Sequence, residues 1–155
     1  MGGATVPPEV EKLAEELGAA LARAGYVVLT GGRPVGVMAA VSRAAHAAGG
    51  LVVGVLPGAD ADECASGVDI SIATSLGDGR NAVNVLSSDV VIALAGGPGT
   101  LSEIALALKN HRPLVLLGID PGPVVEQAVR QGRAALTHSV EEALSWVERF
   151  LKPAS

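Results

Sequence analysis

Gly96-Gly97-Pro98-Gly99-Thr100-Leu101-Ser102-Glu103 follows directly on the apolar run Val90-Val91-Ile92-Ala93-Leu94-Ala95. This order predicts a buried strand that passes through a glycine turn into the first turn of a helix. Such a junction leaves backbone N–H groups without intrahelical partners and aims them, with the positive end of the helix dipole, at one point. That point suits a phosphate. Gly96, Gly97 and Gly99 let an anion come close to the backbone, and Thr100 adds a hydroxyl donor. Glu103 then places a carboxylate beside the bound group, as a general base or a stabiliser of positive charge. The same carboxylate also has a purely structural use, pairing with the helix N-terminus for about 0.3–1 kcal/mol.

A second glycine cluster, Gly31-Gly32-Arg33-Pro34-Val35-Gly36, follows the apolar run Tyr26-Val27-Val28-Leu29. It departs from the G-x-G-x-x-G dinucleotide fingerprint, and no acidic residue ends a strand about 20 positions further on, which disfavours a nicotinamide dinucleotide site. Arg80 stands just after the turn Gly77-Asp78-Gly79, at the end of a crossover loop, where a guanidinium can reach a phosphate or carboxylate. Other reactive residue types are dispersed. His46, His111 and His138 lack partners at metal or triad spacing, and Cys64 is alone. Asp60, Asp62 and Glu63 share a loop but do not follow a calcium-loop pattern, so no metal site is expected.

These residues need a scaffold that brings two glycine turns together. Pro7-Pro8 precedes Glu9–Ala24, where Val10, Leu13, Leu17 and Leu21 recur at helical spacing until Gly25. A helix is also expected over Gly36–Ala48, followed by a strand over Leu51–Leu56 and a weak strand near Asp69–Ala73. Further helices are expected over Arg80–Ser87, Leu101–Lys109, Val124–Gln131 and Ser139–Leu151, with strands over Asp89–Leu94 and Pro113–Leu117. Ser139 with Glu142 reads as a capping box at the last helix. Strands alternate with helices, and the strands are continuous apolar runs rather than in-and-out alternations. That indicates a parallel sheet covered on both faces, a Rossmann-like, doubly wound α/β fold in one domain spanning residues 1–155. Ligands of such sheets bind outside the carboxyl ends of the strands, so both glycine clusters should face one crevice.

Composition limits the partners. Of 155 residues, 49% are hydrophobic and 17% charged, with a formal net charge of −5 and a mean hydropathy of +0.44. The chain is apolar enough to be globular, and it lacks the cationic face that nucleic acid requires. A mononucleotide is compatible, because one helix terminus and an arginine or two can hold a single phosphate. No run approaches the roughly 20 apolar residues of a membrane span, and no signal pattern opens the chain, so a cytoplasmic protein with no membrane partner is expected. Low charge and apolar helix faces point to a homodimer or homotetramer.

The Gly96–Glu103 segment resembles the P-G-G-x-G-T-x-x-E signature of the Lonely guy family of cytokinin riboside 5′-monophosphate phosphoribohydrolases. Gly31-Gly32 with Gly36-Val37-Met38 is similar to that family's first glycine motif. Arg80, nine residues before Asp89, matches the family's catalytic arginine, and the likeness covers roughly residues 9 to 120. The resemblance implies catalytic roles for Glu103 and Arg80, and ligand binding by Gly31, Gly32, Gly36, Met38, Gly96, Gly97, Gly99 and Thr100. The reaction would release a free base and ribose 5-phosphate from a nucleoside 5′-monophosphate such as AMP, with no metal or resident cofactor. Ala95 replaces the family's proline, Asn81 its lysine and Asn84 its methionine. With Leu101-Ser102-Glu103, the Arg80-Asn81 pair is closer to a bacterial and archaeal branch of Rossmann-like proteins that also resembles molybdenum cofactor carriers. That branch implies the alternative of a non-catalytic carrier or sensor of a phosphorylated ligand such as molybdopterin. The family opens with a central strand ending in a glycine-serine turn. Here the chain opens Met1-Gly2-Gly3-Ala4-Thr5, so that strand is expected to be missing, unless the start is misassigned or another segment fills its place.

Overall fold

The computed structural model describes residues 1–152; residues 153–155, the end of the expected 1–155 domain, lie outside the described residues. Among the described residues six strands and six helices alternate, except that β3 follows β2 with no α-helix between them. The order is α1 (Pro8–Arg23), β1 (Val28–Thr30), α2 (Gly36–Ala47), β2 (Val52–Leu56), β3 (Ile70–Ala73), α3 (Arg80–Leu86), β4 (Val91–Ala93), α4 (Pro98–Lys109), β5 (Leu114–Leu117), α5 (Pro123–Arg130), β6 (Ala134–Thr137) and α6 (Val140–Leu151). All pairings are parallel, in two three-stranded sheets of order β1-β2-β3 and β4-β5-β6.

The doubly wound arrangement follows from the period of two along β5. Val115 and Leu117 join Leu17, Val41 and Val147 in one core, under α1, α2 and α6. Leu114 and Leu116 join Val85, Ile104 and Val125 in the other, under α3, α4 and α5. All four β5 side chains are buried, which is why this strand reads as an unbroken apolar run.

Several elements differ from the sequence reading. The strand β6 was not expected, because alanines 134 and 135 carry little strand preference; pairing with β5 makes it a strand. Helix α4 begins at Pro98, three residues before Leu101, with proline in the first turn where its missing N–H costs nothing. The acidic loop holds a 3₁₀ turn over Ala61–Glu63, closed by the Asp62 N–H donating to Asp60 Oδ1 at 2.8 Å. The capping box at α6 is rearranged. The Glu142 N–H donates to Ser139 Oγ, but the Glu142 carboxylate accepts from the His138 N–H at 2.8 Å.

Where the opening strand was expected to be missing, Met1–Gly3 lies along β4. The Met1 α-amino group donates to the Ile92 C=O, the Leu94 N–H to the Met1 C=O at 2.9 Å, and the Gly3 N–H to the Ala95 C=O at 3.0 Å. Among the described residues no other segment fills the place. Between β1 and β4 lies a cavity of about 350 Å³ with a mixed lining that includes Leu17, Leu21, Val91 and Val147 with Thr30, Ser88 and Asp89.

Candidate functional site

The candidate site residues gather around a smaller cavity of about 270 Å³, beyond the carboxyl ends of β1 and β4. Its walls come from three glycine-bearing segments, Met1–Ala4, the β1–α2 loop and the start of α4, with α3 closing one side. Of the residues singled out in the sequence, Gly31, Met38, Arg80, Gly97, Gly99, Thr100 and Glu103 line it. Gly32, Gly36 and Gly96 do not. Gly32 sits at φ +71° and backs onto Gly54, while its N–H donates to Thr30 Oγ1 at 3.1 Å and its C=O accepts from the Ala65 N–H. Gly36, at φ +49°, leaves room for the Gly3 C=O, and Gly96 leaves room for Thr100 Oγ1 and the Gly3 N–H. These three shape the walls from behind. The first glycine loop is thus largely satisfied by the protein's own groups.

The second is not. Helix α4 has no side-chain cap, and the N–H groups of Gly97, Gly99 and Thr100 have no partner among the described residues. A Cβ on Gly97 or Gly99 would meet no protein atom within 4 Å, and neither residue has a positive φ. Neither packing nor backbone conformation therefore demands glycine at these two positions. Close approach of something else to the backbone is the remaining physical use of a missing side chain. The first turn is held in place by a relay: Asn81 Nδ2 donates to Ser102 Oγ at 2.9 Å, and Ser102 Oγ donates to the Gly99 C=O at 2.8 Å.

Glu103 is only 7% exposed, yet it lines the cavity. From behind, Asn84 Nδ2 donates to Glu103 Oε1 at 3.3 Å; Asn84 is fully buried, and its Oδ1 has no partner. Arg80 is also buried, and its guanidinium turns to the backbone: Nη1 donates to the Val55 C=O at 3.1 Å, and Nη2 lies 4.0 Å from Met38 Sδ. Gly31 makes this path available, since a Cβ there would overlap the guanidinium. Burial pushes the Arg80 pKa below the ordinary arginine value; the Glu103 charge opposes this, Arg33 adds to it and Asp78 opposes it. Burial likewise lowers the pKa of the Met1 ammonium against the pull of Glu103.

Sequence reasoning missed several wall residues. Gly2, Gly3 and Ala4 line the cavity because Met1–Gly3 docks on β4, a contact spanning some ninety residues of sequence. Arg33 and Asp78 line it too; each stands inside a glycine turn that had been singled out, which was the available signal. His46 lies elsewhere, its Nδ1 2.9 Å from Asp69 Oδ1 at an exposed position.

A family model described as the SLOG cluster4 family matches residues 1–144. The chain belongs to the SLOG cluster4 family. This SLOG chain is similar to the solved molybdenum cofactor binding protein of the phototrophic bacterium Rippkaea orientalis, with TM-score 0.90 and 43% identity over 98% of this chain and 94% of that one. It is 39% identical over 136 residues to an uncharacterised protein of Archaeoglobus fulgidus, covering 83% of this chain and 89% of that relative. It is also 39% identical over 128 residues to the cytokinin riboside 5′-monophosphate phosphoribohydrolase of Mycobacterium tuberculosis. That match takes in 73% of the SLOG chain but 64% of the relative, just under two thirds of its length. Among the described residues of the SLOG chain, no helix is long and apolar enough to cross a membrane.

Proposed function

We propose that this protein binds a small phosphorylated ligand, with the phosphate seated on the N–H groups of Gly97, Gly99 and Thr100, and serves as a carrier of a phosphate-bearing pterin such as the molybdenum cofactor. The observation that carries the reading is the uncapped start of α4, with open space over Gly97 and Gly99. Three amide donors, the Thr100 hydroxyl and the helix dipole suit one phosphate, and a net charge of −5 is compatible with a single small anion rather than a polyanion. The near end-to-end match with the Rippkaea orientalis cofactor-binding protein supports the pterin as cargo. In this role Met38 and Gly31 form the wall beside the phosphate, while Gly32, Gly36 and Gly96 hold the three segments at the needed spacing.

A second reading, cleavage of the N-glycosidic bond of a nucleoside 5′-monophosphate, is favoured by one observation: the Glu103 carboxylate lines the same cavity. The bond between base and ribose would break with its electron pair leaving on the base. Glu103 would stabilise the cationic ribosyl centre and take a proton from the attacking water, giving ribose 5-phosphate. Arg80 would orient the phosphate or help the base leave. Calorimetry with molybdopterin and with AMP, run beside an assay for free base, separates the readings. Tight molybdopterin binding without base release from AMP supports the carrier. Base release that vanishes in Glu103→Ala, with AMP binding retained, supports the hydrolase. Absence of binding by both ligands overturns the shared phosphate-site reading.

A further inference from the structure

Arg33 has no place in either mechanism so far, and with Asp78 it is one of two exposed charged side chains on the cavity wall that make no side-chain hydrogen bond or ion pair among the described residues. Glu103 is held by Asn84, and Arg80 by the Val55 carbonyl. The Arg33 side chain makes no hydrogen bond or ion pair among the described residues, although it lines the same cavity. It is exposed, on the β1–α2 loop at the same cavity as the start of α4, so its long stem is free to swing. It also acts on Arg80: the two guanidiniums are close enough for the Arg33 charge to disfavour the Arg80 charge. Two like charges held at one mouth are a standing electrostatic cost that an anion between them removes.

We infer that Arg33 is the second cation of this site, closing over a phosphate seated on α4 and setting a preference for a doubly charged phosphomonoester over a singly charged phosphodiester. The inference rests on the phosphate-site reading above and adds to it the charge of the ligand. The amides of α4 supply partial charge and accept either ligand. A planar guanidinium can pair with two non-bridging oxygens of either ester, so the discrimination comes from charge, two on a terminal phosphate against one on a diester. The occupant this favours is a terminal phosphate ester.

The test compares AMP with adenosine 3′,5′-cyclic monophosphate by calorimetry at pH 8, where the monoester carries two charges and the cyclic diester one. The unsubstituted chain should bind AMP more tightly. Arg33→Ala should weaken AMP about tenfold, the size of one exposed charge-assisted contact, and leave the cyclic diester within about threefold. Arg33→Lys should recover part of the loss, and the AMP affinity of the alanine variant should fall less steeply with added salt. Thermal melts of both variants without ligand should not fall below the parent, since Arg33 makes no contact that folding needs and Arg33→Ala relieves its repulsion of Arg80. Equal AMP affinity for the parent and Arg33→Ala, or equal losses for both ligands, overturns this inference while leaving the phosphate site standing. If the parent binds neither AMP nor inorganic phosphate, the site reading falls and this inference falls with it.

Discussion

Gly31→Ala isolates how Arg80 is held, and its cost can be worked from the geometry. Gly31 is buried and outside the left-handed region, so alanine meets no backbone strain there. Its new Cβ would overlap the Arg80 guanidinium and lie 2.6 Å from Met38 Sδ. Met38 is a flexible thioether and can shift for less than about 1 kcal/mol. Arg80 cannot stay. Its Nη1 must leave the Val55 carbonyl, a buried bond to a charged donor worth about 1.5–3 kcal/mol. The substitution should therefore destabilise the fold by about 2–4 kcal/mol.

The mechanism, rather than the size alone, is what a double-mutant cycle reads. Where Arg80 is already alanine, the Gly31 substitution has only Met38 to move, and its cost should drop below about 1 kcal/mol. The coupling between the two sites is then about 1.5–3 kcal/mol, carried by the displaced bond. Urea unfolding of the parent, the two single variants and the double variant measures it, provided the four m-values agree. Additivity to within about 0.5 kcal/mol would refute the claim that Gly31 is glycine to let Arg80 reach Val55.

Gly97→Ala and Gly99→Ala should fold as well as the parent, with Gly99→Ala gaining up to about 1 kcal/mol from its position inside α4, yet each should weaken phosphate or AMP binding in calorimetry. Asn84→Asp sets a second carboxylate where an amide now lies 3.3 Å from Glu103. Coulomb repulsion at an effective dielectric of about 20 puts the cost near 5 kcal/mol as an upper bound. That cost is present when both groups are ionised and relieved as acid protonates one, so the thermal midpoint of the variant should approach that of the parent as pH falls. Ile104→Ala, under the site in the α4 core and 2% exposed, should cost about 2–5 kcal/mol in urea unfolding.

What was legible in the sequence depended on how local the cause is. The strand β5 and the helix α1 declare themselves because burial on two faces or on one stripe fixes their residue types. The start of α4 is written in glycines, threonine and proline, so its open amides could be anticipated from a dozen residues. Strand β6 could not, because Ala134-Ala135-Leu136-Thr137 becomes extended only through pairing with β5. The same holds inside the site. Arg80 was visible as a cation next to a turn, but its use on the Val55 carbonyl depends on a strand 25 positions earlier. Gly2 and Gly3 were invisible as wall residues because their place depends on docking against β4. Long-range contacts, and not weak local signals, set the boundary.

The held state of Arg80 also bears on which reading of the cavity fits. A hydrolase gains rate only from interactions that strengthen in the transition state, so its cation must present free donors where charge develops. In this chain the Arg80 guanidinium is tied to Val55, wedged beside Met38 and disfavoured as a charge by burial. Moving it to a substrate would first break a bond worth about 1.5–3 kcal/mol. Ground-state binding of a phosphate makes no such demand. The amides of Gly97, Gly99 and Thr100 already lack partners, and the Asn81–Ser102–Gly99 relay keeps the first turn of α4 rigid. Under the carrier reading proposed above, unpartnered donors at the start of α4 and a buried cation anchored to the scaffold suit the holding of an ester. The hydrolytic alternative requires Arg80 to turn its remaining N–H donors to the substrate while Nη1 stays on the Val55 carbonyl, or to give up that carbonyl for the substrate. An Arg80→Lys variant, whose shorter reach and single point charge cannot serve both partners, should abolish any base release from AMP while leaving phosphate binding within about threefold. Retained base release in that variant would show that Arg80 is not the group hydrolysis uses.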